Sequence, residues 1–176
     1  MQKAVFLDRD GTIIEDNGYL SHPSQVVFFD DTFEALRRLQ KDFMLFIITN
    51  QQGIGNGVLT PQEVEGVNLY IVDLLKKSGI HITDVYVCPH TKDDRCICRK
   101  PKPYFLHKAE REHGINLKHS FVVGDHPSDI ELALNVGARG IFVLTGHGRK
   151  HVWEIDDNAV VVPAIGEASV RITGKQ

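Results

Sequence analysis

Six short apolar runs, separated by stretches with helical spacing, limit most strongly how this chain can fold. Ala4-Val5-Phe6-Leu7 is the first and leads into an Asp-rich loop. Residues 43–49 (Phe-Met-Leu-Phe-Ile-Ile-Thr) form the second, and 85–88, 121–124, 141–144 and 160–162 follow. Each run is almost continuously apolar rather than alternating, which is the pattern of a parallel strand covered on both faces. Helical patterns fill the gaps. Residues 32–40 carry Phe33, Leu36 and Leu39 at a spacing of three. Thr60-Pro61-Gln62-Glu63 starts a second helix, with Thr as N-cap, Pro at N1 and Glu closing a capping box. Val64, Val67, Ile71, Leu74 and Leu75 then line one face up to Gly79. Residues 105–113 end at Gly114, and 127–136 place Ile130, Ala133 and Leu134 inward before Gly137. The βαβα alternation predicts an α/β, doubly wound (Rossmann-like), mainly parallel sheet of five or six strands with helices on both faces. One domain is expected over residues 1–164, and 165–176 read as a loosely held C-terminal tail.

The 176 residues suffice for a core that needs no disulfide or oligomer, so a monomer is expected. Lys+Arg minus Asp+Glu is 20 − 23 = −3, which argues against a generally basic nucleic-acid binder. No apolar run approaches about 18 residues, so no membrane span is expected. The four apolar residues before Asp8 are too few for a signal-peptide core, and a cytoplasmic location is expected.

In such sheets ligands sit beyond the carboxyl ends of the strands, where the polar residues of this chain gather. Asp8-Arg9-Asp10-Gly11-Thr12 follows the first strand directly. Residues i and i+2 of an extended segment project to the same side, so Asp8 and Asp10 can face one site as nucleophile and general acid/base. Gly124-Asp125-His126-Pro127-Ser128-Asp129 repeats the placement after the fourth strand. Several carboxylates at one sheet edge repel each other, and a hard divalent cation with phosphate is the usual remedy. Read alone, an Asp-x-Asp is more often a loop or cap.

Cys88, Cys96 and Cys98 are the only cysteines, and His90 stands among them. Four soft or borderline ligands at this spacing suit a closed, tetrahedral, structural zinc loop over 88–98. The charged residues between its arms (Lys92, Asp93, Asp94, Arg95) offer little else to fold it. Thr49-Asn50-Gln51 and the following Gln52-Gly53-Ile54-Gly55-Asn56-Gly57 offer donors for phosphate oxygens. Arg99-Lys100-Pro101-Lys102 offers cations, Lys100 as a point charge and Arg99 as a fork. The other histidines, His147 and His151 included, read as surface or packing residues.

Together these residues resemble the haloacid dehalogenase superfamily of aspartate-nucleophile phosphatases. Asp8-x-Asp10-Gly11-Thr12 is similar to its first motif, Thr49-Asn50 to its second, Lys100 to its third, and Gly124-Asp125 with Asp129 to its fourth. The Cys-Pro-His and Cys-x-Cys-Arg-Lys-Pro arms resemble the branch that holds heptose bisphosphate and histidinol-phosphate phosphatases. Asp16-Asn17-Gly18-Tyr19, Gln51 and Thr145-Gly146-His147-Gly148 are closer to the heptose side of that branch. The resemblance implies Asp8 as nucleophile, Asp10 as acid/base, and Thr49, Asn50 and Lys100 on the transferring phosphoryl group. It implies Asp16, Gly18, Tyr19, Gln51 and Arg99 at the substrate. Mg²⁺ would sit on Asp8, the Asp10 carbonyl and Asp125, with Asp129 as supporting acid. Zn²⁺ would sit on Cys88, His90, Cys96 and Cys98. The substrate would be a small phosphorylated metabolite, a sugar bisphosphate on the heptose reading. Histidinol phosphate and a non-catalytic phosphate-binding module are the alternatives. No room is left for a cap domain, so the zinc loop and residues 16–25 should rim an open site. The chain departs from the family's usual Pro-Gly at Phe29-Asp30-Asp31 and at Pro103-Tyr104, both expected near the substrate mouth.

Overall fold

The first apolar run forms β1 (Ala4–Leu7), with all four residues buried. A computed structural model describes residues 1–156 and 159–174 of the chain. Val5 and Leu7 enter the core cluster on one face of the sheet, Ala4 and Phe6 the cluster on the other. Covering both faces removes any reason for the run to alternate. The sheet also contains β2 (Met44–Asn50), β3 (Ile82–Cys88), β4 (Phe121–Gly124), β5 (Arg139–Val143) and β6 (Val160–Val162). Every pairing is parallel and the spatial order is β3-β2-β1-β4-β5-β6. The helices are α1 (Thr32–Leu39), α2 (Gln52–Gly55), α3 (Pro61–Lys77), α4 (Tyr104–His113), α5 (Pro127–Leu134), α6 (Gly148–His151) and α7 (Ile165–Thr173). The doubly wound α/β expectation holds, and no cap domain lies over the sheet among the described residues.

Strand order sets where a ligand can sit. The chain steps outward from β1 to β2 and β3, then returns to the far side of β1 for β4. The loops after β1 and β4 therefore diverge and leave a crevice at their carboxyl ends. Both acidic segments leave from that point.

The α3 start is as the residues dictate. Glu63 N donates to Thr60 Oγ1 at 3.2 Å, and Thr60 N donates to Glu63 Oε2 at 2.7 Å. Its inner face buries Val64, Val67, Ile71 and Leu75, with Leu74 only half-buried and one polar residue, Asn68, buried among them.

Several expectations are corrected. The third run is only the end of β3, which begins at Ile82; as an edge strand it carries Thr83 and Asp84, and these masked its length. α5 stops at Leu134, which is 65% exposed, and Leu132 takes the inward place assigned to it. The segment read as a loose tail is α7, which packs on α1 and buries Ile165 and Ala168. Asp31 Oδ2 accepts the Gly166 N–H at 2.8 Å and fixes the start of that helix. Residues 175–176 of the expected tail lie outside the described residues. Among the described residues, no helix is long and apolar enough to cross a membrane.

Candidate active site

The crevice between the β1 and β4 loops opens into a cleft of about 970 Å³. Every residue singled out from the catalytic and substrate motifs, except Asp129 beneath its floor, lines it: Asp8, Asp10, Asp16, Gly18, Tyr19, Thr49, Asn50, Gln51, Arg99, Lys100 and Asp125. Asp8 leaves β1, Asp125 leaves β4, and Asp129 sits on the first turn of α5 behind them. One ligand oxygen from each of these three acids lies within 4.8 Å of the others.

Lys100 is the counter-charge. Its Nζ is 2.9 Å from Asp8 Oδ1 and 2.7 Å from Asp129 Oδ1, with only 3% of its side chain exposed. Burial works against the ammonium, but Asp129 and Asp8 outweigh it and raise its pKa. One lysine does not neutralise three acids. Burial, opposed by Lys100 and aided by Asp129, pushes Asp8 up to about 6. Burial with the charges of Asp8 and Asp129 pushes Asp125 up to about 8. This uncompensated oxygen cluster fits a hard divalent cation. Asp125 is pressed between two glycines. A Cβ on Gly11 would lie 2.1 Å from its Oδ2, and one on Gly146 would lie 2.2 Å from it. The His147 N–H donates to the same oxygen at 2.7 Å.

Asp10 is turned to different partners. Arg9 donates from Nε to Oδ2 and from Nη2 to Oδ1, both at 3.0 Å. Gln51 Nε2 donates to Oδ2 at 2.8 Å and to Thr49 Oγ1 at 2.7 Å. Burial raises the Asp10 pKa while Arg9 opposes it. The Asp10 carboxylate is thus outside the three-acid cluster.

Asn50 and Arg99 are tethered at the other wall. Asn50 Oδ1 accepts the Lys100 N–H at 3.1 Å, so β2 holds the lysine loop. Arg99 donates to the His90 carbonyl at 2.9 Å and to Gln52 Oε1 at 3.3 Å. Its position depends on the cysteine loop. There the ligand atoms of Cys88, His90, Cys96 and Cys98 lie within 4.8 Å of one another. Sγ–Sγ separations are 3.3 and 3.9 Å, and His90 Nδ1 is 3.4 and 3.6 Å from two sulfurs. Tetrahedral zinc with bonds of about 2.3 Å sets its sulfurs about 3.8 Å apart, which the Cys88–Cys96 pair matches, while Cys98 lies closer to Cys88. Burial pushes the Cys88 thiol up to about 12, the condition a bound cation would reverse.

The glycine turn after Gln51 has four of its N–H groups committed within the fold. It is the one-turn helix α2, and its N–H groups at Ile54, Gly55, Asn56 and Gly57 donate to Gln51, Pro89, Gln52 and Ile54 carbonyls. Its glycines exist for close packing: a Cβ on Gly53 would meet the Tyr19 ring at 2.7 Å, and one on Gly55 the Pro89 carbonyl at 2.9 Å. Nor does Phe29–Asp31 border the mouth, since Asp31 is committed to α7. Of the expected rim, Asp16, Gly18 and Tyr19 contribute, but residues 20–25 do not.

The other rim was missed. His126, His147, Lys150, His151 and Glu154 line it, and His147 Nε2 lies 2.9 Å from Asp16 Oδ2 across the opening. Burial and the neighbouring His151 lower the His126 pKa. The only signal for this rim was Thr145-Gly146-His147-Gly148 after β5, at the same sheet edge as the acids.

Comparison with known proteins agrees with this geometry. The HAD-hydrolase-like family model matches residues 97–168. A D-glycero-beta-D-manno-heptose-1,7-bisphosphate 7-phosphatase of Helicobacter pylori (strain J99) is 39% identical over 155 residues, covering 86% of this chain and 89% of that protein. The histidine biosynthesis bifunctional protein HisB of Legionella pneumophila (strain Lens) is 32% identical over 179 residues, and the chain spans 49% of its length. The crystal structure of D,D-heptose 1,7-bisphosphate phosphatase from B. bronchiseptica, complexed with magnesium and phosphate, superposes with a TM-score of 0.90 at 26% identity over 98% of this chain and 99% of that one. At the identity and coverage of the Helicobacter pylori relative, the chain belongs to the haloacid-dehalogenase-like phosphatases.

Proposed function

We propose that this chain removes the 7-phosphate of D-glycero-D-manno-heptose 1,7-bisphosphate through an aspartyl-phosphate intermediate. One observation carries the reading: Asp8, Asp125 and Asp129 crowd one buried lysine at the sheet's switch point. The heptose assignment draws on the Helicobacter pylori and B. bronchiseptica phosphatases, whose names specify that substrate. Residues 1–164, with α7 packed behind them, act as one catalytic unit.

Asp8 is the nucleophile; Lys100 favours its ionised form and presents it from one side. Its oxygen attacks phosphorus in line with the departing sugar oxygen. Asp10 gives that oxygen its proton, and the sugar leaves as an alcohol. Asp10, now ionised, takes a proton from water as the water attacks the aspartyl phosphate. Thr49, Asn50 and Lys100 offset charge on the phosphoryl oxygens. Asp8, the Asp10 carbonyl and Asp125, with Asp129 in support, would hold Mg²⁺, which would supply charge neutralisation at phosphorus. Asp16, Gly18, Tyr19, Gln51 and Arg99 contact the substrate, the Arg99 fork suiting its second anionic group. Cys88, His90, Cys96 and Cys98 would hold a structural Zn²⁺, which would steady the loop whose His90 carbonyl binds Arg99.

The test is magnesium-dependent phosphate release from heptose 1,7-bisphosphate and from histidinol phosphate, with Asp8→Asn as blank. A large kcat/KM advantage for the heptose is expected. Preference for histidinol phosphate would reassign the substrate. Near-normal turnover by Asp8→Asn would remove the mechanism.

A further inference from the structure

We propose that Arg9 is a positioning residue that aims Asp10 as proton donor, a role that rests on Asp10 being the general acid. Arg9 stands between the two acids in sequence, yet its side chain runs inward and is 1% exposed. Arginine is almost never buried so deeply without partners. Here all three guanidinium nitrogens are engaged. Nε and Nη2 fork onto Asp10, and Nη1 donates at 2.7 Å to Oδ1 of Asn68, 59 residues away on α3. Asn68 is 7% exposed and does not line the cleft. A helix behind the site thus holds the fork, and the fork holds the carboxyl plane.

The fork also decides where a proton can reside. Oδ2 of Asp10 accepts from Arg9 Nε and Gln51 Nε2, with Thr49 Oγ1 at 3.4 Å. A carboxylate oxygen offers about two in-plane acceptor positions, so Oδ2 is filled. Among the described residues, Oδ1 accepts only from Arg9 Nη2, which also lies 2.9 Å from Oδ2, and so keeps its second position. The transferable proton therefore belongs on Oδ1, where the fork sets its direction.

Direction matters in proportion to how much the leaving group needs the proton. As the Asp8–phosphorus bond forms, the phosphorus–oxygen bond of the ester breaks and its electron pair stays on the leaving oxygen. A sugar alkoxide must take the Asp10 proton at that moment, whereas a nitrophenolate is stable without it. General acid catalysis contributes about 10²–10⁴-fold, and misplacement by about 1 Å forfeits about 10² of it. A residue that merely supports the fold would lower both reactions alike.

The experiment compares kcat/KM, which reports the step through leaving-group departure, for heptose 1,7-bisphosphate and 4-nitrophenyl phosphate. The variants are Arg9→Lys, which keeps charge but loses the fork, and Asn68→Ala, which keeps the fork but loses its anchor. Asp10→Asn is the reference. Arg9→Lys should lower the sugar reaction about 10²-fold and the nitrophenyl reaction less than about 5-fold. Asn68→Ala should give the same split at smaller size, and decides the question alone if Arg9→Lys does not fold. Equal losses on both substrates, or no loss, in variants of unchanged melting temperature would overturn the positioning role while Asp10→Asn still shows the split. If Asp10→Asn itself shows no split, the general-acid reading fails and this role fails with it.

Discussion

Replacing Lys100 by Met keeps the length of the side chain and removes its charge. The substitution leaves Asp8 and Asp129, with side chains 12% and 1% exposed, facing each other without their shared ammonium. Removing one partner of a buried ion pair costs about 3–5 kcal/mol. For a chain of this size each kcal/mol moves Tm by about 2–4 °C, so a fall of about 6–20 °C is expected at pH 8. The loss must depend on pH. Asp8 already stands at about 6 because of burial, and Lys100 is the main influence holding it down. Without Lys100 it rises further. An acid raised in the folded state costs nothing below its unfolded pKa, destabilises increasingly as pH climbs from there to the folded one, and costs no more above it. The Asp8 part of the Lys100→Met deficit should therefore be small near pH 5 and grow above about 6, where the parent Asp8 has ionised. The assay is thermal melting of both proteins in magnesium-free buffer with the cysteine site loaded, from pH 5 to 8. Adding magnesium at pH 8 should restore part of the loss. A deficit equal at both ends of the range, or absent at pH 8, would refute the electrostatic reasoning.

Two further outcomes are expected. Cys98→Ser should lose bound zinc and expose Lys92 and Arg95 to trypsin, with a higher KM because Arg99 is tied to the loop at His90; equal cutting rates with and without the substitution would count against a zinc-ordered loop. Gly146→Ala would place a Cβ 2.2 Å from Asp125 Oδ2 and 2.4 Å from the Gly11 Cα, at a backbone φ of +53° that disfavours side chains. It should raise the magnesium requirement for phosphate release more than about 10-fold, and an unchanged magnesium titration would show that Asp125 can shift freely.

How much of this was legible depended on whether the signal was local. Buried parallel strands advertise themselves as apolar runs, and the Thr60–Glu63 capping box is written in four adjacent residues. Asp8, Asp10 and Asp125 were found because each sits just past a strand end, and Lys100 because it stands in the cationic Arg-Lys-Pro run beside the cysteines. β3 was half hidden because an edge strand tolerates Thr83 and Asp84. Asn68 stayed invisible, since nothing in a helical period marks one polar residue on an apolar face as the anchor of an arginine 59 residues away. α7 was missed because Ile165, Ala168 and Ser169 make a weak stripe that only the packed partner α1 completes. Gln52–Gly57 could not be read alone for a physical reason: glycine serves close packing and anion cradling equally well, and only Tyr19 and Pro89 in place show the packing role of Gly53 and Gly55.

The same geometry explains why the cations of this site differ in kind. A parallel switch point brings two loops together at strand ends, and in this chain both loops carry acids. Their repulsion is answered three ways. Asp10 receives a fork whose position is fixed by α3. Asp8 and Asp129 receive a point charge, Lys100, whose backbone is pinned to Asn50. Asp125 receives the His147 N–H and the more distant charge of Lys100, and it stands at about 8. A fork fixes a plane, as a proton donor requires. A single ammonium neutralises without enclosing, which leaves the Asp8 oxygens open to phosphorus. The acid with no cationic side chain in direct contact is the one held between two glycines, Gly11 and Gly146, where a Cβ has no room.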